Sequence, residues 1–68
     1  MDQEAFNMSI RKFLKTVGVS SQREIEQAVA AALASGDLAG NEILPVKMTL
    51  ELGKLKLSAT FDGEIRLA

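Results

Sequence analysis

The apolar residues of this 68-residue chain recur at about 3.6 residues before Pro45 and at about 2.0 after it. The first spacing gathers apolar side chains on one face of a helix, and the second gathers them on one face of a strand. A chain that changes period once reads as helices followed by strands, an α+β domain.

Phe6, Ile10, Phe13, Leu14 and Val17 fall within a stripe ~100° wide, as a helix lying on one side of a core requires. Asp2 is its expected N-cap. Gly18, free to take positive φ, is its expected stop, with Val19 supplying the apolar contact beyond. Ser21 and Glu24 stand at capping-box spacing, which predicts a second helix over 22–35 after a first over 3–17. The second helix turns Ile25, Ala28, Val29, Ala32 and Leu33 inward and ends at Gly36. So short a loop between the helices predicts a helical hairpin. Residues 36–45 form a connector anchored by Leu38, Ile43 and Leu44. Pro45, with no amide hydrogen, belongs at the head of a strand or on a free edge.

Strands are expected over 46–52 and 55–61. A two-residue turn at Gly53-Lys54 would set Leu52 opposite Leu55, Leu50 opposite Leu57 and Met48 opposite Ala59 on the inner face. The outer pairs are then Glu51 with Lys56, Thr49 with Ser58 and Lys47 with Thr60. Asp62-Gly63 signals another turn, and Ile65 and Leu67 continue the alternation as a third strand over 64–67. A loop that takes in Phe61 lets Ala59 face Ile65 and Leu57 face Leu67. The expected fold is a single domain, 1–68, in which a two-helix hairpin packs on one face of a three-stranded antiparallel meander, in the order ααβββ.

A chain this short hides only roughly 60% of the surface of its unfolded state. With no cysteine and no histidine it has neither a disulfide framework nor a zinc-type site to reinforce a thin core. Small domains without such staples often oligomerise, so self-association is expected. Net charge is −1 overall, made up of +1 over residues 1–17, −1 over 18–36 and −1 over 37–68. No segment has the basic excess that phosphate neutralisation demands of a dedicated nucleic-acid binder. Met1-Asp2-Gln3-Glu4 is not a basic leader, and no apolar run is long enough to span a membrane, so a cytoplasmic protein is expected.

The sequence offers no catalytic constellation. General acid and base chemistry usually leans on histidine, and the carboxylates that could replace it, Glu51, Asp62 and Glu64, are expected at a turn or facing solvent, where nothing shifts their acidity. Gly36, Gly40, Gly53 and Gly63 stand singly, without the cluster that cradles phosphate. Neither a cofactor nor a metal is expected, and no enzymatic activity.

Two surface features remain. Met8, Arg11, Lys12 and Lys15 cluster on the face of the first helix away from its stripe, either as a solvated face or as a docking patch for an acidic partner or RNA. Ala30, Ala31 and Ala34 lie outside the inward stripe of the second helix, where alanine serves helix propensity or permits close approach of a partner. The leading expectation is a non-enzymatic protein interaction module, homo-oligomeric, using the alanine face or a free sheet edge. The alternative is a nucleic-acid-binding regulator with a helix-turn-helix and a wing-like hairpin, using Arg11, Lys12, Lys15 and Lys54. The turn grammar resists that alternative: Leu14 and Glu24 occupy places where the motif wants a small and an apolar residue, Ile25 arrives one place late, and Glu24 and Glu26 would face phosphates. A small accessory subunit of an enzyme differs from the first reading only in its partner.

At Phe6-Asn7-Met8-Ser9-Ile10-Arg11-Lys12-Phe13-Leu14-Lys15, through Val17-Gly18-Val19 and Ser21-Gln22-Arg23-Glu24-Ile25-Glu26, the chain resembles a family of small uncharacterised bacterial proteins, mostly proteobacterial. The resemblance extends to Leu44-Pro45 and Gly63-Glu64-Ile65. It implies a bacterial, cytoplasmic, stand-alone protein and assigns no activity or site residue.

Overall fold

One helix precedes one hairpin. The computed structural model describes residues 1–68 and gives the order α1 (Gln3–Ser35), β1 (Ile43–Leu52), a single 3-10 turn (Gly53–Leu55) and β2 (Leu57–Arg66). The chain divides into two units, Met1–Asp37 and Leu38–Ala68. The expected two-helix hairpin and three-stranded meander are therefore corrected to the order αββ.

The ends of α1 follow the sequence grammar. Asp2 caps the helix, its Oδ1 accepting from the Ala5 amide at 3.1 Å, and Glu4 places negative charge in the first turn. Gly36 closes it in the left-handed region at φ 85, its amide donating to the Leu33 carbonyl at 3.3 Å. Between those ends the helix runs unbroken for 33 residues, about 50 Å at the usual rise. Ser9 and Thr16 fit the interior by turning their hydroxyls back onto the Phe6 and Lys12 carbonyls, at 2.8 and 3.1 Å.

The predicted break at Gly18–Ser21 does not occur. A helical glycine costs about 1 kcal/mol relative to alanine, whereas a break strands up to eight backbone groups and requires a second nucleation. The half-buried line also passes straight through it: Val17, Ser21, Ile25, Val29 and Ala32 follow one another at intervals of three or four. Ser21 therefore sits inside a helix and does not cap one. The amide of Glu24, which a capping oxygen would need, is already committed to the helix ladder.

The hairpin keeps the predicted faces and shifts the predicted register. Leu52 pairs with Leu57, Leu50 with Ala59, Met48 with Phe61, Val46 with Gly63 and Leu44 with Ile65, while Lys47 meets Asp62, Thr49 meets Thr60 and Glu51 meets Ser58. This register lies two residues from the expected one, and a slip of two leaves every side chain on its original face. The shift comes from the turn. Gly53-Lys54-Leu55-Lys56 forms a four-residue connection closed by the Lys56 amide on the Gly53 carbonyl at 3.1 Å, with Lys56 in the left-handed region at φ 52. Leu55 consequently leaves the strand for the turn.

The early start of β1 removes the third strand. β1 begins at Ile43, ahead of Pro45, and β2 extends through Asp62-Gly63 to match it, so each strand has ten residues. Gly63 lies opposite Val46, where an added Cβ would meet Val46 Cγ1 at an ordinary 3.6 Å, and Phe61 is a strand residue. The Leu67 amide donates to the Glu42 carbonyl at 3.0 Å, extending the ladder by one pair. Counting from that pair, Pro45 occupies a position that takes no ladder bond, and its nitrogen faces the open side of β1, as its missing hydrogen requires.

The loop before β1 closes on itself. The carboxylate of Glu42 accepts from the amides of Ala39 at 2.8 Å, Gly40 at 2.9 Å and Asn41 at 3.2 Å, with Gly40 at φ 104 turning its amide inward. These donors favour the charged form. They hold Glu42 below the usual glutamate range, Ala39 contributing most and Gly40 next, against an opposing effect of partial burial.

Two stability measurements check these assignments. Gly18→Ala should raise stability by about 1 kcal/mol, since Gly18 is helical and a Cβ there meets nothing within 4 Å, whereas Gly36→Ala should lower it by about 1 kcal/mol. Thermal melts followed by helical circular dichroism read both, and a destabilised Gly18→Ala would mean that the helix breaks there. For Glu42 the lowered folded pKa means that the stabilisation is fully present above the ordinary glutamate value, about 4.3, and is lost as pH falls through the lower folded value. Urea unfolding of the native chain and Glu42→Gln should thus show a gap in stability at neutral pH that closes in acid. A gap that persists unchanged to low pH would contradict the loop assignment.

Candidate interaction surface

No residue of the chain is buried, although 47% of its residues are hydrophobic. Fourteen large apolar side chains are exposed, among them Phe13 at 54%, Leu14 at 56% and Phe61 at 60%. On α1 the bulk is unevenly distributed along one stripe. Phe6, Ile10, Phe13, Leu14 and Val17 make its N-terminal half large, and Ala28 and Ala32 keep its C-terminal half small around Ile25 and Val29. On the hairpin, Leu44, Val46, Met48, Leu50 and Leu52 share a face with Leu57, Ala59, Phe61 and Ile65. The opposite face holds Lys47, Thr49, Glu51, Ser58, Thr60, Asp62 and Glu64. Large apolar groups in such number are rarely left facing water unless something covers them.

Met8, Arg11, Lys12 and Lys15 are exposed on α1, and at about 100° per residue they fall away from the stripe, with Arg11 at its border. Ala30, Ala31 and Ala34 are exposed on the same helix, about four turns and more beyond. Both sets therefore belong to one element and do not lie on the two helices expected. The continuous α1 also contains no turn at Gly18–Ser20, so a helix-turn-helix is not formed, and Lys54 lies in the 3-10 turn of the hairpin.

Glu42 was missed at the level of sequence. Its signal is short range: a carboxylate one or two residues after Gly40-Asn41 can close back on the turn amides, as Asx-type turns do. The arrangement is structural, since three amides already occupy the carboxylate. Glu51, Asp62 and Glu64 are exposed on the hairpin.

No helix is long and apolar enough to cross a membrane. No curated protein and no solved structure matches the chain. A family model does, over residues 1–68, and its description is a family of unknown function, DUF6494. With its whole length matched, the chain belongs to the family of unknown function DUF6494.

Proposed function

We propose that the chain is a small non-enzymatic interaction module that associates with a second copy of itself. One observation carries the reading: nothing is buried, while large apolar residues line one side of α1 and one face of the hairpin. A two-stranded hairpin is marginal alone in water, and a single amphipathic helix draws most of its stability from whatever covers its apolar face. Association supplies that cover. The non-enzymatic part is supported by a sequence without histidine or cysteine and by a Glu42 carboxylate taken up by backbone amides.

Sedimentation over a wide concentration range tests the proposal. The expected species is a multiple of the 7.3 kDa chain, dissociating on dilution, with an unfolding midpoint that rises with concentration. A chain that sediments as a monomer at every concentration and still unfolds cooperatively would overturn it. Fractionation of the source cell tests the cytoplasmic location expected from the sequence, with recovery in the soluble fraction as the supporting result.

A further inference from the structure

Resting on that self-association, we infer that the second copy adds to the free edge of β2, the two β2 strands running antiparallel side by side with a two-fold axis at Thr60. The hydrogen bond from the Leu67 amide to the Glu42 carbonyl fixes which groups of β2 are free. Counting by twos from it, the odd-numbered residues from Leu57 to Ile65 bond across to β1. The amides and carbonyls of Ser58, Thr60, Asp62, Glu64 and Arg66 therefore point outward. All five can donate, whereas the matching row on β1 is broken at Pro45. A hairpin needs at least a third strand to be stable by itself in water, and pairing along β2 supplies it to both copies.

Orientation follows from the faces. A two-fold axis perpendicular to the sheet makes the strands antiparallel and keeps Leu57, Ala59, Phe61 and Ile65 of both copies on one side. Parallel strands related by a two-fold would put them on opposite sides. Register follows from the free groups and from charge. Outward-facing residues must meet outward-facing residues, so the axis falls at a residue and not between two. An axis at Phe61 would set Arg66 against Lys56, at Asp62 would set that residue on itself, at Gly63 would set Asp62 on Glu64, and at Glu64 would again set like on like. Axes at Ala59 or before, or at Ile65 or after, leave at least half of β2 unpaired. At Thr60 the strands meet without these conflicts. Thr60 faces Thr60, Ser58 faces Asp62 and, just past the strand end, Lys56 faces Glu64. On the apolar face Phe61 comes against Ala59 and Leu57 against Gly63, large against small. Ile65 comes level with Leu55 and Arg66 with Lys54, both partners lying in the 3-10 turn outside the paired strands.

Thr49 and Thr60 face each other across the hairpin, each with its amide on an open edge, so the same substitution tests both edges. Thr60→Pro should weaken association in sedimentation at least about tenfold, because it removes the donors at the axis, and Thr49→Pro should change it less than about twofold. Equal weakening by the two, or association of Thr60→Pro at native strength, would reject the β2 edge while leaving self-association standing. A native chain that is monomeric throughout would overturn both. The chain has no cysteine, so single thiols report without background. Mild oxidation should link Thr60→Cys chains to each other more readily than Ser58→Cys or Asp62→Cys chains, since only at the axis do equivalent residues meet within the Cα separation that a disulfide spans. Preferred linkage of Ser58→Cys, Asp62→Cys or Thr49→Cys would overturn the pairing, even if the proline variants failed to fold.

Discussion

Taken each by itself, the helix unit and the hairpin unit share one deficiency: an apolar side with no second layer within the unit to place against it. Folding a short chain is a contest between conformational entropy and surface removed from water, and an element that leaves its leucines and phenylalanines half exposed has collected only part of the available gain. In this chain the shortfall is general. Not one side chain is buried, and the most exposed large groups include phenylalanines, the residues with most to gain from cover. The proposed self-association would have the same physical origin as the folding of larger domains, carried out between molecules.

The regular parts of the architecture were legible because hydrophobic alternation is insensitive to some errors. Pairing Leu50 with Leu57 or with Ala59 makes no difference to which side of the ribbon Leu50 occupies, so the faces are the same with the four-residue turn as with the expected two-residue one. The caps at Asp2 and Gly36 were legible because each residue carries its own local mechanism, a side-chain acceptor in one case and tolerance of positive φ in the other. Asp62-Gly63 misled for a related reason. Those residues permit a turn without compelling one, and ten paired positions along β1 outweighed the local preference.

Gly18 and the Ser21-to-Glu24 spacing show how turn grammar fails when two readings are locally acceptable. Both the broken and the continuous helix satisfy the residues taken one at a time. The difference lies in the phase of the stripe, which continues through Val17, Ser21 and Ile25 without a jump. A polar residue at the centre of that line, Ser21, hid the continuity from a count of apolar residues alone. The Glu42 closure was hidden in another way, because a carboxylate reaching backbone amides of its own loop leaves no periodic trace.

Pro45 has a consequence beyond its place in β1. A hairpin of two strands has two unsatisfied borders, and each is a template on which foreign strands can add and propagate into fibres. On the outer border of β1 the proline nitrogen interrupts the row of donors, so a strand arriving there finds a missing rung near one end of the template. The border of β2 carries no such interruption. Polymerisation needs two competent borders per molecule, and a ribbon impaired on one of them is biased toward finite assemblies over endless ones.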